Sequence, residues 1–268
     1  MIRIFLFILL FLLPFSARAQ HDLLTAKKDV IPNGYNFWLY TPDGYEESKE
    51  TTPLIVFLHG ASSCGHHLDR VLHYGTLDAI KRGLVLPAMV VAPQNPKGAW
   101  NPDKLNDILE WLDANDYPYD HQRVYVVGMS LGGYGVLDFT GSYPEKIAAS
   151  MALCGGCSLN DLTGLGEVPL WIIHGTTDRA VSVKQSQRVV KTLQDAGKDA
   201  RLRYDWIRGA SHGALARYLY TEKTYEWLLS HTLSDVERCV ETTIQITPRD
   251  LQEVYRRMEK RAELEIRR

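Results

Sequence analysis

Short apolar runs at residues 54–58, 88–92, 124–127, 150–153, 170–173 and 202–207 punctuate the chain. Most lack the polar alternation of a strand with one wet face, so they predict strands buried on both faces, as in a parallel sheet. Between them, residues 68–82, 102–112, 132–143, 184–196 and 215–230 carry apolar side chains at helical spacing. Strand, helix and strand repeated in this way predict a doubly wound α/β sheet, mostly parallel and flanked by helices. The connections are short, so no large cap domain is expected. Residues 35–40 alternate instead, with Tyr35, Phe37 and Leu39 set against Asn36, Trp38 and Tyr40. That segment predicts antiparallel edge strands, turned by Pro42-Asp43-Gly44.

The two ends of the chain break this pattern. Arg3, the apolar run 4–13 and Ala17-Arg18-Ala19 read as a signal peptide over residues 1–19, with a run too short to span a bilayer. Export to the periplasm or the medium is therefore expected, with no stable membrane insertion once the signal is cleaved. Residues 20–233 hold the predicted sheet and form one domain. Residues 234–268 form a C-terminal extension. In it Thr247-Pro248-Arg249-Asp250 is a helix start, with an N-cap threonine, proline in the first turn and an acid at the third position. Leu251, Val254, Tyr255, Met258 and Ala262 follow at helical spacing. This stripe predicts either a terminal helix packed on its own domain or a homodimer contact.

Composition narrows the classes. Thirty Lys and Arg against 32 Asp and Glu give a formal net charge of −2. No basic field is present to hold a phosphate backbone, which argues against nucleic acid as a partner. Four cysteines, Cys64, Cys154, Cys157 and Cys239, are few for a domain of this size, so folding does not need disulfides. Cys154-Gly-Gly-Cys157 has redox spacing, but it follows an apolar run rather than opening a thioredoxin-like βαβ unit. It reads as a strand-end cysteine in a tight glycine turn. His66, His67 and His73 near Cys64 match no zinc spacing. No metal and no cofactor are expected.

The chemistry points to Gly128-Met129-Ser130-Leu131-Gly132, a G-x-S-x-G. An apolar strand ends before it and a helical pattern begins within it. A nucleophilic serine on a strained strand-to-helix turn needs this arrangement. The hydroxyl is a poor nucleophile until a base takes its proton. Nine histidines are available. His21, His121 and His231 fall in segments that read as surface, and His174 reads as structural. His212, in the loop after the sixth run, comes last in the chain order serine, acid, histidine. Asp178, after the fifth run, lies between them and would fix the imidazole tautomer. Asp205 is the reserve acid, whereas Asp161, Asp195 and Asp199 read as solvated. A developing oxyanion would meet the N–H of Leu131 and one N–H of the loop His59-Gly60-Ala61-Ser62, with Ala61 first and Ser62 second. A histidine base implies activity that falls as pH drops through the range where imidazoles titrate, about 6.5 in peptides.

From Leu58 to Gly213 the chain resembles the carboxylesterase and "predicted peptidase" branch of the α/β-hydrolases. That branch borders feruloyl esterases, acetyl-xylan esterases and polyhydroxybutyrate depolymerases. The stretches that carry the resemblance are Phe57-Leu-His-Gly60, Leu86-Pro-Ala-Met-Val-Val-Ala-Pro-Gln94 and Gly128-Met-Ser-Leu-Gly-Gly-Tyr-Gly135. Tyr143-Pro-Glu-Lys146, Cys154-Gly-Gly156, Trp171-Ile-Ile-His-Gly175 with Asp178, and Ser211-His212 complete it. It implies an α/β-hydrolase fold, a serine esterase with Ser130, Asp178 and His212 as triad, and Gln94 and Trp100 near the substrate. Cys154 occupies a position usual in that branch. The loop 61–65 departs from the glycine- and acid-rich form of the group, and the C-terminal extension has no counterpart there. The expected substrate is a carboxylic ester on a carbohydrate. A peptidase of the prolyl-oligopeptidase type and a non-catalytic binding protein on the same fold are the rival expectations.

Overall fold

The computed structural model describes residues 23–48, 51–254 and 256. The expected signal peptide lies outside the described residues, as do His21 and residues 257–268 of the C-terminal extension. Eight strands form one sheet: β1 (Leu24–Lys27), β2 (Asn36–Tyr40), β3 (Leu54–Leu58), β4 (Met89–Gln94), β5 (Val124–Met129), β6 (Ala149–Leu153), β7 (Leu170–Gly175) and β8 (Leu202–Ile207). Their order is β1-β2-β4-β3-β5-β6-β7-β8. β2 runs antiparallel to β1 and β4, and β3 to β8 are parallel.

The six apolar runs are these six parallel strands. β3 to β7 are buried at every position, which is why polar alternation is missing from them. Alternate residues serve opposite faces. Leu54, Val56 and Leu58 join one core, and Ile55 and Phe57 the other. The helices α3 (Pro102–Ala114), α4 (Leu131–Ser142) and α5 (Lys184–Asp195) cover the first face. The helices α2 (Thr76–Lys81) and α6 (Glu222–Leu229) cover the second. α3 starts where sequence logic puts it: Asn101 Oδ1 accepts from Asp103 N at 2.8 Å and Lys104 N at 3.3 Å, with Pro102 in the first turn. Its Leu105, Ile108, Leu109 and Leu112 face the sheet at the spacing of one helical stripe.

Three expectations change. The hairpin between β1 and β2 closes over residues 28–35, where Asp29 and Asn33 take φ of 55° and 58°. Pro42-Asp43-Gly44 instead leads into a one-turn helix, α1 (Tyr45–Ser48), with Tyr45 N donating to Pro42 O at 3.1 Å. The single helix expected over 68–82 is a 3-10 segment (Leu68–His73) and then α2, broken at Gly75. Gly75 has a φ of 88°, and a Cβ there would stand 2.0 Å from the Phe57 ring, so only glycine lets the chain pass. The helix expected over 215–230 is likewise a 3-10 segment (His212–Tyr220) and then α6, parted at the extended Thr221. Thr224 Oγ1 and Tyr225 OH donate to Tyr218 O and Leu219 O, taking up carbonyls at the end of the first segment.

The C-terminal extension folds back on its own domain as far as it is described. Trp227 Nε1 donates to Glu241 O at 2.8 Å, and Arg203 Nη1 to Ile244 O at 2.9 Å. Val240, Ile244, Ile246 and Leu251 pack against the second core. Thr247 and Asp250 cap the helix that starts at 248: Thr247 N donates to Asp250 Oδ2 at 2.7 Å and Asp250 N to Thr247 Oγ1 at 3.3 Å. Among the described residues, no helix is long and apolar enough to cross a membrane.

Candidate active site

A parallel sheet opens a crevice where neighbouring strands send their connections in opposite directions. Here that point lies between β3, whose chain continues to β4 on one side, and β5, whose chain continues to β6 on the other. The loops leaving β3 and β5 therefore meet at the carboxyl edge of the sheet. They begin at His59 and Ser130.

Ser130 stands between β5 and α4 with a φ of 60° and a ψ of −121°, a conformation that non-glycine residues avoid. The turn is possible because its neighbours lack side chains. A Cβ on Gly132 would lie 1.9 Å from Leu58 O, and one on Gly133 2.5 Å from Leu153 O. α4 can thus press against β3 and β6 and aim its amino end at the edge where Ser130 sits. That end favours negative charge. Leu131, the first residue of α4, has no acceptor for its N–H among the described residues.

The loop after β3 lies against the serine. A Cβ on Gly60 would come within 3.4 Å of Ser130 Cβ. His59 is fully buried, and its Nε2 accepts from Asn95 N at 3.0 Å. Nδ1 therefore carries the ring proton and donates it to Gly60 O at 2.8 Å. Ser63 N donates to the same carbonyl at 3.1 Å. With Gly60 O tied down on one side of its peptide, the Ala61 N–H on the other side is held in place and has no acceptor among the described residues. Gln94 and Trp100 sit beneath this loop. Gln94 Nε2 donates to Ser63 O at 2.7 Å, and Trp100 Nε1 to His59 O at 3.3 Å. Both side chains are nearly fully buried, so the structure places them as supports of the loop.

Asp178 and His212 come from the loops after β7 and β8. His212 Nδ1 donates to Asp178 Oδ2 at 2.7 Å. Asp178 Oδ1 accepts from Ala180 N at 2.8 Å and Val181 N at 2.9 Å. The carboxylate is shielded from solvent (0% exposed), whereas the imidazole is 25% exposed. Burial pushes the Asp178 carboxyl up, but the Val181 N–H, the His212 ring and the Ala180 N–H outweigh it and hold the group below the usual range. Asp205, the reserve acid, is elsewhere: its Oδ2 accepts from Trp171 Nε1 at 2.7 Å.

A buried thiol links these parts. The Ser130 backbone N–H lies beside the Cys154 thiol and donates to Leu153 O at 2.9 Å. Cys154 Sγ, an Asp178 oxygen and a His212 nitrogen lie within 4.8 Å of one another. Ser130, Asp178 and His212 thus border one side chain. The three atoms could in principle ligate a cation, but burial pushes the thiol up to about 12, so it keeps its proton at neutral pH, and thiolate is the ligating form. Cys154 and Cys157 pack in opposite cores, one on each face of the sheet, and all four cysteines are free. The pair is therefore not built for exchange.

The remaining histidines divide. His66, His67, His73 and His121 are exposed. His231, expected at the surface, is buried: its Nδ1 donates to Trp227 O at 2.8 Å, and its Nε2 accepts from Glu241 N at 3.1 Å. His174 is buried beside Asp178, with 3.4 Å between Nε2 and Oδ2. The contact with the acid was missed in the sequence, and its signal there is the four-residue spacing His174 to Asp178.

Burial of neutral histidines carries a pH dependence. Burial lowers the His59 ring to about 4, and lowers His174 and His231 as well. The unfolded chain takes up these protons near pH 6.5, but the folded chain does not. The stability contribution is thus complete above about pH 6.5 and is lost as pH falls toward 4. For His59 alone the loss is roughly 3 kcal/mol. Urea unfolding at successive pH values should show a steeper acid decline in the wild type than in His59→Gln. Equal slopes would contradict the neutral, buried ring.

The chain is similar to several proteins. The model of the prolyl oligopeptidase family matches residues 157–235, the stretch that holds Asp178 and His212. The hydrolase acrC of Aspergillus aculeatus is 29% identical over 188 residues, covering 64% of this chain and 42% of that protein. A bifunctional acetylxylan esterase/xylanase of Neocallimastix patriciarum is 27% identical over 174 residues, covering 60% of this chain and 24% of that protein. The chain thus spans less than half the length of either relative. The crystal structure of a thermostable esterase superposes with a TM-score of 0.64 at 24% identity, covering 79% of this chain and 64% of that one. With its parallel sheet, its serine on the turn after β5 and the superposition on the thermostable esterase, the chain has the α/β-hydrolase fold.

Proposed function

We infer that the protein is a serine hydrolase of carboxylic esters, acting through Ser130, His212 and Asp178. The observation that carries this reading is the 2.7 Å bond from His212 Nδ1 to a shielded Asp178, beside a serine held on a strained turn. The bond puts the imidazole proton on Nδ1 and leaves Nε2 free to act as base. Ser130 Oγ attacks the ester carbonyl carbon, and its proton passes to His212. The carbonyl oxygen becomes an oxyanion held by the Ala61 and Leu131 N–H groups. Collapse breaks the bond to the alcohol, which leaves with the proton from His212. Water repeats the sequence on the acyl-enzyme and releases the acid.

The substrate class follows from access. Ala61, Ser62, Thr177, Arg179 and Ser211 around the site are exposed. A rim this open suits an ester on a bulky carrier, such as an acetyl or feruloyl group on a polysaccharide. The name of the acetylxylan esterase/xylanase relative points the same way. The match to the prolyl oligopeptidase family favours a second reading, a serine peptidase. Parallel assays with p-nitrophenyl acetate, acetylated xylan, feruloyl sugar esters and peptide anilides separate the two. Esters should be turned over with the higher kcat/KM, and a preference for anilides would establish the peptidase. A chain that releases no p-nitrophenol and takes no fluorophosphonate on Ser130 would instead be a non-catalytic binding protein. Export under the signal peptide 1–19 and a homodimer through the C-terminal helix belong to the same proposal. The second is read from the mass in solution of the full chain and of a chain ending at Thr232.

A further inference from the structure

His174 lies in β7, four residues before Asp178, with its side chain fully shut off from solvent. Its Nε2 is 2.9 Å from Val181 O and 3.4 Å from Asp178 Oδ2. Both neighbours are acceptors, so the proton of the neutral ring belongs on Nε2. Nδ1 is then a bare acceptor, and Ser186 Oγ stands 2.7 Å from it. Ser186, in α5, is itself fully buried, and its one hydroxyl proton is offered both to Nδ1 and to Gly155 O, which accepts from it at 2.8 Å. Burial lowers the His174 ring, with the Val181 carbonyl opposing, which keeps it neutral at pH 7.

An ionised carboxylate offers about four lone-pair sites. On Asp178 two backbone N–H groups take Oδ1, and His212 takes Oδ2. One site remains, on the oxygen that receives His212, and His174 Nε2–H is the donor beside it. Val181 closes the arrangement, since its N–H donates to Oδ1 and its carbonyl accepts from His174. We propose that His174 is a positioning residue that pins the Asp178 carboxylate for His212 through its Nε2–H, with the Val181 carbonyl holding the proton on that nitrogen. The proposal rests on the hydrolase reading of Ser130, His212 and Asp178. It adds a second, buried histidine that orients the acid without meeting substrate, its ring held on the other side by Ser186 of α5.

The test uses His174→Phe, which keeps a planar ring without a donor, and His174→Gln, whose amide nitrogen can reach the place of Nε2. His174→Phe should lower kcat about tenfold or more while leaving KM within about twofold, because a misplaced acid acts on the chemical step. His174→Gln should recover most of the loss, which a merely structural ring would not allow. Proton NMR gives a readout independent of turnover. The low-field resonance of the His212 Nδ1–H, assigned by its loss in His212→Ala, should shift or broaden in His174→Phe and return in His174→Gln. Ser186→Ala, a milder change should the phenylalanine variant fail to fold, should move the same resonance in the same direction. A resonance unchanged in His174→Phe and in Ser186→Ala would overturn the proposal, even with ester turnover intact. Wild-type protein that takes no fluorophosphonate on Ser130 would remove the hydrolase reading, while the resonance still decides whether His174 holds Asp178.

Discussion

Ser130→Ala is expected to lower kcat for ester hydrolysis by about 10⁴-fold or more and to abolish fluorophosphonate labelling. The size follows from the loss of the only group that forms the acyl-enzyme in the proposed route. The Ala61 and Leu131 N–H groups survive the change, so a residual rate above that of water should remain. The same residue carries a second expectation of opposite sign. Ser130 holds a φ of 60° and a ψ of −121°, which costs of order 1–3 kcal/mol for a residue with a Cβ. Alanine keeps that strain and glycine releases it, less the greater freedom that glycine gives the unfolded chain. Ser130→Gly should therefore be more stable than Ser130→Ala by about 1 kcal/mol, or about 2–4 °C in Tm for a domain of this size. Thermal melts of the two inactive variants provide the measurement. An alanine variant that still hydrolyses esters would refute the nucleophile, and a glycine variant that melts first would refute the strain.

That strain explains why the site was legible in the sequence. A strand that must end in a tight turn against two other backbones needs Gly128, Gly132 and Gly133, and these leave a local signature around Ser130. The parallel strands were legible for a similar reason, since burial on both faces removes polar residues from a short window. What escaped the reading depends on distant partners. β1 is a four-residue edge strand with two exposed positions, so it has no apolar pattern to see. Gly75 interrupts the helix over 68–82 because Phe57, from a strand 18 residues earlier, occupies the space of its Cβ. His231 is buried because the extension returns Glu241 N to its Nε2. His174 touches the acid because β7 and the loop after it bend back on each other. Periodicity cannot report such contacts, since none follows from the repeat of a single helix or strand.

Asp178→Asn tests the electrostatic half of the site without changing its shape. The two oxygens of Asp178 are not equivalent. Oδ1 faces the N–H groups of Ala180 and Val181, and Oδ2 faces His212 Nδ1 and His174 Nε2. An asparagine must turn its carbonyl toward the two backbone donors, because its NH₂ would leave both without an acceptor. The NH₂ then takes the place of Oδ2, 2.7 Å from where His212 Nδ1 now donates. His212 can answer only by moving its proton to Nε2, the nitrogen that has to receive the serine proton. The base is lost by tautomer, with the ring still in place. We expect kcat to fall by about 10³- to 10⁴-fold with KM within about threefold, and fluorophosphonate labelling to slow in parallel. Stability should also drop by about 1 kcal/mol, since the charge-assisted bonds from Ala180 N and Val181 N become neutral ones and the bond from His212 is lost. Asp205→Asn is the control. Its carboxylate accepts from Trp171 Nε1 on a neighbouring strand, away from His212, and the change should leave kcat within about twofold. If the two variants exchanged phenotypes, the acid would have to be reassigned to β8. If both retained full activity, a hydrogen-bonded carboxylate would not be part of the chemistry at all.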